Sequence, residues 1–403
     1  MKCFSTSATR QLKYGLVFAS SFLYIHIPNA KFIIPIACGA NLIIIAYAII
    51  EFRPLLINGK LFAVAGMTAF YLAYHYTLGH INATTLGIEF ARFGLTNLTI
   101  PLYASLVYRF RPETQIQIRK AYIAISLTIF TLELALRLSL YPNEFLHAAA
   151  YAFRSDDVYN IKATNLLYKD SNMLAVVIAF FFGAYLYETL SSQKKPSWLI
   201  VTLFAVLEIF TFSRQGYISF FGMAPIYYGL SQNSLRKFIE RHFTSIAFVF
   251  SLALSFALYE VIKNITFIRD EYALWSAGAI AKLSMLEYLY AYLTHASLLG
   301  YVFGWGPQVA HTRFVVEYFG HDLAGIIPEF GIFSIILIYP FFAVNKHLAL
   351  ILFPFYFGIL FSYYGYAYIM PCLLYIVLLD ASAPKRRKSR AAALASHPLH
   401  STN

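Results

Sequence analysis

Apolar residues run along this chain in stretches of roughly 20, separated by short polar connections. They fall at residues 13–27, 32–50, 61–78, 86–108, 122–140, 173–189, 199–212, 216–230, 244–262, 323–344, 348–366 and 368–379. Several are short for a hydrocarbon layer of ~30 Å, and the last two also read as one re-entrant unit. A membrane barrel would instead show alternating segments of about 10 residues. The pattern predicts an all-α fold: a polytopic helical membrane protein with about 12 transmembrane helices. Residues 1–262 would hold nine of them, with an outer loop at 142–172. A large outer loop would follow at 263–321, three more helices at 322–380, and a basic tail at 381–403.

Composition supports this division. The chain is 59% hydrophobic and 12% charged, whereas a soluble domain carries about 25% charged residues. Lys and Arg alternate along the connections. One set comprises Lys2, Arg10 and Lys13; Arg53 and Lys60; Arg109, Arg111, Arg119 and Lys120; Lys194 and Lys195; Arg236, Lys237 and Arg241; and Lys346. The tail adds Lys385, Arg386, Arg387, Lys388 and Arg390, while the intervening short connections near His80 and Gly365 have none. By the positive-inside rule both termini are cytoplasmic. The net charge of +12 is then mostly a topology signal and not a nucleic-acid footprint. Lys2, Arg10 and Lys13 precede the first span, but no small-residue cleavage site leads into a soluble domain, so that span is expected to stay. Cys3, Cys38 and Cys372 are far apart and form no CxxC pair, which suggests neither zinc nor a disulfide framework.

The long outer connection is a polar island in an apolar chain. From Lys263 to Gly331 it holds Arg269, Asp270, Glu271, Lys282, Glu287, His295, His311, Arg313, Glu317, His321, Asp322 and Glu329, with a turn at Gly304-Trp305-Gly306-Pro307. Leu283, Leu286, Tyr290 and Leu293 recur at helical spacing and predict a helix over 280–295, its apolar face on the membrane surface or on other spans. Arg214 stands in a two- or three-residue corner, Ser213-Arg214, on the side where basic residues are disfavoured. It reads either as an arginine snorkelling to headgroups or as an anion clamp, whose fork suits diphosphate oxygens. Lys282 reads as a solvated charge or a second cation. His321 reads as a surface histidine or a general base. Glu329, two turns into an apolar stretch, is expected to pair or to line a wet cavity, as are Glu89, Arg92, Glu133, Arg137 and Glu208. Of these, Arg92 is the one expected to face the site. Most of the 32 tyrosines suit interfacial belts, while Tyr288, Tyr290, Tyr292, Trp305 and Tyr318 are placed to stack on sugars.

Taken in order, several segments resemble the O-antigen ligase/O-antigen polymerase family of bacterial inner-membrane glycosyltransferases. These are Phe212-Ser-Arg-Gln-Gly216, Ala281-Lys-Leu-Ser-Met-Leu-Glu287, Leu299-Gly-Tyr-Val-Phe-Gly-Trp-Gly-Pro307 and His321-Asp-Leu-Ala-Gly-Ile-Ile-Pro-Glu-Phe-Gly331. Tyr168-Lys-Asp-Ser-Asn172 is similar to a stretch that many members carry before a span, so the likeness covers about Asp170 to Gly331. The resemblance implies a GT-C-like fold with a helical periplasmic loop, and a glycan on undecaprenyl diphosphate as donor. It implies an inverting, metal-independent transfer with no cofactor. Arg214 would hold the diphosphate and His321 would activate the acceptor hydroxyl. Lys282 stands where the family usually has a second arginine, so Arg269 or Arg313 would supply the missing fork. Asp322, where asparagine is frequent, would orient His321 or bind acceptor sugars. Arg92 and Glu329 complete the expected substrate-binding set.

The family holds two activities. A ligase passes the glycan to lipid A-core, and a polymerase passes it to the next lipid-linked repeat unit. The single dominant outer loop ending in a histidine favours the ligase. A transporter or flippase of lipid-linked sugars is the reading from another class, and it would predict internal repeats, of which none is clear. The expected place is the bacterial inner membrane, with the site facing the periplasm, a lipid-linked donor as partner and no nucleic acid.

Overall fold

The computed structural model describes residues 26, 33–51, 59–108, 110, 112–145, 168, 171–239, 241–242, 245, 249, 288–306, 323–334, 336, 345–360, 372 and 375–380. Every regular element among them is helical, as the all-α expectation requires. In chain order these are α1 (Ile33–Glu51), α2 (Gly59–Thr77), α3 (Ala83–Glu89), a π-turn at Phe90–Gly94 and α4 (Leu95–Val107). There follow α5 (Pro112–Leu140), α6 (Ser171–Ser191), α7 (Trp198–Ile209) and α8 (Arg214–Ser231). The polar segment supplies α9 (residues 288–295) and α10 (Leu298–Phe303). Last come α11 (Leu323–Phe330) with a 3₁₀ turn at Gly331–Ser334, α12 (Lys346–Ile351) and α13 (Phe353–Leu360).

Among the described residues, two segments, Glu113–Leu140 and Ser171–Ser191, are long and apolar enough to cross a membrane. Cys38–Ala48, Leu95–Val107 and Trp198–Ile209 are apolar but shorter. The expected spans at 13–27 and 244–262 fall almost wholly outside the described residues.

The helix that is apolar all round becomes the centre. α6 carries aliphatic and aromatic residues on every face, so it gains by being covered on all of them. It is buried from Met173 to Thr189 and packs against α5, α7, α8, α12 and α13. α5 buries only part of its surface; Leu132, Leu136 and Leu140 on it are exposed apolar residues. α1, α2 and α4 form a second layer joined by buried polar side chains. Asn41 donates from Nδ2 to Thr96 Oγ1 (3.1 Å) and accepts from Thr99, and Asn97 donates to Thr68 Oγ1 (3.2 Å). Such side chains join helices in apolar surroundings because each polar group satisfies another across the interface.

Hydrogen bonds fix which helix ends lie together. Gln115 donates to the Val107 carbonyl (2.8 Å), so α5 starts where α4 stops. Arg119 and Glu188 form a two-pronged ion pair (Nε–Oε2 2.8 Å, Nη2–Oε1 3.1 Å), so α6 ends beside the start of α5. Tyr375 donates to the Arg119 carbonyl (3.2 Å). Nearby, Asp380 accepts from Tyr108 OH (3.2 Å) and from the Asn345 amide (2.7 Å). The opposite end therefore gathers Thr77, Leu140, Ser171 and the α7–α8 corner.

Arg119 corrects a sequence expectation. It was counted with a basic loop before a span starting at 122, but the helix begins at Pro112 and Arg119 is buried in it. Its charge is matched inside the protein by Glu188. Removing one partner of such a pair leaves an uncompensated buried charge, at a cost of about 3–5 kcal/mol. Arg119→Met should therefore lower stability by about that amount, and Arg119→Met with Glu188→Leu should recover most of the loss. Thermal unfolding in detergent checks this, and equal losses in the single and double variants would refute it.

Candidate functional site

The site expected at Ser213-Arg214 is built on a tight corner. α7 ends at Ile209, and Thr211 closes it by donating from Oγ1 to the Glu208 carbonyl (2.7 Å). Phe212 then takes a left-handed conformation (φ 53°), which is costly for a residue with a large side chain. Ser213 caps α8: its Oγ accepts from the Gly216 amide (3.2 Å) and donates to Asn172 Oδ1 (2.9 Å). Arg214 is thus the first residue of α8. The bond to Asn172 joins two segments that lie 41 residues apart in the chain. Beside them Arg137 donates to Ser171 Oγ (3.2 Å), and its guanidinium carbon lies 5.1 Å from the Phe145 ring centroid. Phe145 in turn packs against Phe210 and Phe212.

The second part is where the polar island docks. α10 ends at Gly304 (φ 72°), and the chain turns through Trp305 and Gly306 (φ 101°). The Trp305 amide donates to the Pro328 carbonyl (2.7 Å) and the Gly306 amide to the Glu329 carbonyl (3.1 Å). Tyr71 OH on α2 donates to that same Glu329 carbonyl (2.9 Å). Two glycines make this approach possible. A Cβ on Gly304 would overlap the Glu329 carbonyl, and one on Gly331 (φ 56°) would come within 2.5 Å of the Gly304 amide nitrogen and the Tyr301 carbonyl. Positive φ and close backbone contact both favour glycine. The Gly-Trp-Gly and Pro-Glu-Phe-Gly segments are therefore interlocked backbone to backbone.

The end of α2 holds this unit from the other side. His75 Nε2 lies 2.8 Å from the Phe303 carbonyl, and its Nδ1 lies 3.0 Å from Nδ1 of His80. Tyr74 stacks on Phe303, with centroids 4.0 Å apart, and Tyr71 on Phe330, 4.9 Å apart. Sequence reasoning missed His75 as part of this assembly. Its only signal was its place near the end of an apolar run, and a histidine there reads equally as packing. α2 and α4 are antiparallel across a five-residue turn at 78–82, and α4, α5 and α6 alternate in direction. The His75 end is therefore the same end of the bundle as the Ser213 corner.

The aromatic expectations need correction. Tyr288 and Tyr292, expected to stack on sugars, are buried and meet Trp305 edge-on. Burial, with Tyr301 adding to it, pushes the Tyr292 phenol up to about 12, so it stays neutral and donates to the Gly300 carbonyl (2.7 Å). The face of α9 turned into the protein is Tyr288, Leu289 and Tyr292, while Tyr290 and Leu293 of the expected stripe are exposed.

The remaining expected site residues divide as follows. Glu329 is buried in α11 at 4% exposure. Arg92 lies in the π-turn, a distortion frequent at functional sites, but its side chain and that of Arg214 fall outside the described residues. Lys282, Arg269, Arg313, His321, Asp322 and Tyr318 also fall outside them. Among the described residues, no three His, Cys, Asp or Glu side chains gather to hold a metal. No family model, no curated protein and no solved structure matches this chain.

Proposed function

We propose that this protein is a polytopic inner-membrane glycosyltransferase of the O-antigen ligase/polymerase type, acting most readily as the ligase. It would move a glycan from undecaprenyl diphosphate to a hydroxyl of lipid A-core at the periplasmic face. The observation that carries the reading is the meeting of motif-bearing segments at one end of an all-helical bundle. Asn172 is bonded to Ser213 beside Arg214, and the Gly304 turn is locked into Glu329–Gly331, just after His321 in the chain.

In the reaction the acceptor oxygen attacks the anomeric carbon from the face opposite the diphosphate. The new glycosidic bond forms, the bond from carbon to diphosphate oxygen breaks, and undecaprenyl diphosphate leaves with its electron pair. The acceptor proton passes to His321 as general base. Arg214 and Lys282 stabilise the charge growing on the diphosphate, with Arg269, Arg313 or Arg92 as further cations; fixed donors of this kind act where charge develops. Asp322 orients the imidazole or binds the acceptor, and Glu329 completes the substrate-binding set.

Purified protein in lipid, given an undecaprenyl-diphosphate glycan and lipid A-core without nucleotide or added metal, should form glycosylated lipid A-core. A longer lipid-linked chain from a second repeat unit would mean a polymerase, and no product with either acceptor would sink the enzyme reading in favour of transport. Lys282 has its own test in the same assay. Lys282→Arg should transfer at near the parent rate and Lys282→Ala about 10²-fold more slowly. Equal rates for the two would remove Lys282 from the site.

A further inference from the structure

The buried face of α5 is polar along nearly its whole length. Its inward stripe is Gln115, Arg119, Tyr122, Ser126, Phe130, Glu133 and Arg137, all buried, while Ile125, Leu132 and Leu136 on the opposite side are exposed. That is the reverse of a soluble helix, and it suits a span with lipid outside and polar contacts inside. From Gln115 to Arg137 the stripe is about 33 Å long at the rise of an α-helix. A hydrocarbon layer is ~30 Å thick, so the stripe reaches from one side to the other. Its charges are matched at both ends. Arg119 pairs with Glu188, and the Glu133 charge acts on Arg137 one turn further on. Tyr122 lies against Tyr375 (centroids 4.6 Å), whose hydroxyl donates to the Arg119 carbonyl.

Phe130 is the apolar member of the stripe, and two side chains from elsewhere carry polar groups past it. His26 Nε2 lies 2.8 Å from Ser126 Oγ, and its Nδ1 lies 3.0 Å from Tyr168 OH. The imidazole stacks on Phe181 (centroids 5.4 Å) and tilts against Phe130 (5.7 Å), which holds its plane. Tyr168 also packs on Phe130 (6.3 Å), and the Glu133 charge acts on its phenol. Ser126, His26 and Tyr168 are thus hydrogen-bonded in a row beside the Phe130 ring, with the Glu133 charge at the Tyr168 end. A neutral imidazole accepts on one nitrogen and donates from the other, and a hydroxyl does both, so this row can pass a proton in either direction.

We propose that the inward face of α5 is a proton path across the membrane, with His26 as the relay at its middle. Tyr168 gives its hydroxyl proton to His26 Nδ1 as the Nε2 proton passes to Ser126 Oγ. Ser126 releases its own proton toward Tyr122, and Tyr168 takes one from the Glu133 side. Every O–H or N–H bond that breaks is matched by one that forms, each group keeps its number of protons, and no co-reactant is needed. Neighbouring stripe residues sit about 5–6 Å apart along the helix, an interval that one bridging water spans. The path rests on α5 crossing the membrane, as its length and apolar character allow, and not on glycan transfer.

Purified protein in liposomes that hold a pH-sensitive dye tests the path. A potassium gradient with valinomycin makes the interior negative and draws protons in. Acidification should run several times faster than in empty liposomes. His26→Phe and Tyr168→Phe should bring it down to the empty-liposome rate. Thr128→Val, on the exposed side of α5, should leave it at the parent rate. Thermal unfolding in detergent checks folding. Tyr168→Phe keeps the ring and loses only the hydroxyl, so it carries the test if His26→Phe does not fold. A purely structural network would lower Tm in these variants but give no flux to lose. Parent liposomes no faster than empty ones, or a flux that survives both substitutions, would overturn the path. In a cysteine-free background, Glu113→Cys and Leu140→Cys should react with an impermeant thiol reagent in membrane vesicles of opposite orientation. Reaction in the same vesicles would remove the crossing and the path with it, whereas opposite reaction without flux would sink the path alone. Glycan transfer by a protein without flux would leave the proposed function standing.

Discussion

Transfer of glycan by Arg214→Ala should fall by about 10²–10³-fold, and by His321→Ala by about 10²–10⁴-fold, while both proteins still insert and fold. The two losses have different origins. In the proposed transfer the diphosphate leaving group would gain negative charge as its bond to the sugar breaks, with no nucleotide chemistry at hand at the periplasmic face to absorb it. In the proposed reaction Arg214, the first residue of α8, would supply a cation for that charge, and the helix's own positive end would add to it. The acceptor hydroxyl, in contrast, is a weak nucleophile until its proton has somewhere to go, and an imidazole near neutral pH is suited to take it. The measurement is initial rate of product formation in proteoliposomes, with membrane insertion and thermal unfolding checked in parallel. Parent-like rates in either variant would take that residue out of the mechanism.

Gly304→Ala and Gly331→Ala should each destabilise the protein by about 2–4 kcal/mol and loosen the segment at 288–306. Part of the cost is conformational. Both glycines hold positive φ, at 72° and 56°, which an L side chain adopts only with strain of about 1–2 kcal/mol. The rest is steric. The new methyl at 304 meets the Glu329 carbonyl and the one at 331 meets the Gly304 amide. These are backbone atoms, which cannot swing aside as a side chain would. Relief requires α10 and α11 to part, which sacrifices the bonds from Trp305 and Gly306 to Pro328 and Glu329. Gly66→Ala in α2 is the control, because nothing lies within 4 Å of its added methyl. Alanine in a helix interior should leave it as stable as the parent or about 0.5–1 kcal/mol more so. Thermal unfolding reads the stability, and limited proteolysis of residues 288–306 reads the loosening. Tm values for Gly304→Ala and Gly331→Ala that match Gly66→Ala would show that the two segments are not locked together.

The sites most open to sequence reading were those where one residue is out of keeping with its neighbours. Arg214 in a corner between apolar stretches drew attention for that reason, and it does open a helix beside Asn172 and Ser213. Glu208 and Arg137 stood out as charges in apolar stretches, but their surroundings could not be read. Which hydroxyl, ring or helix start a buried charge meets depends on segments far away in the chain. Arg119 was misread for the same cause. A basic residue near the end of an apolar run looks alike whether it lies in solvent or pairs with Glu188 across two helices. Tyr288 and Tyr292 looked available for sugars, because an aromatic ring suits a wet surface and a packed core equally well in sequence terms.

By itself the sequence determined that the chain is helical and roughly where its helices run. Long apolar stretches must satisfy their backbone locally when no water is at hand, and a helix does so within the segment. Only the tertiary structure decided which segments meet. The contact of Asn172 with Ser213 spans 41 residues, and the Gly304 turn fits into Glu329–Gly331 through backbone atoms that every residue shares. Periodicity reports one element's own buried face. It carries no information about which distant element covers that face, because that choice depends on the shapes of both surfaces together.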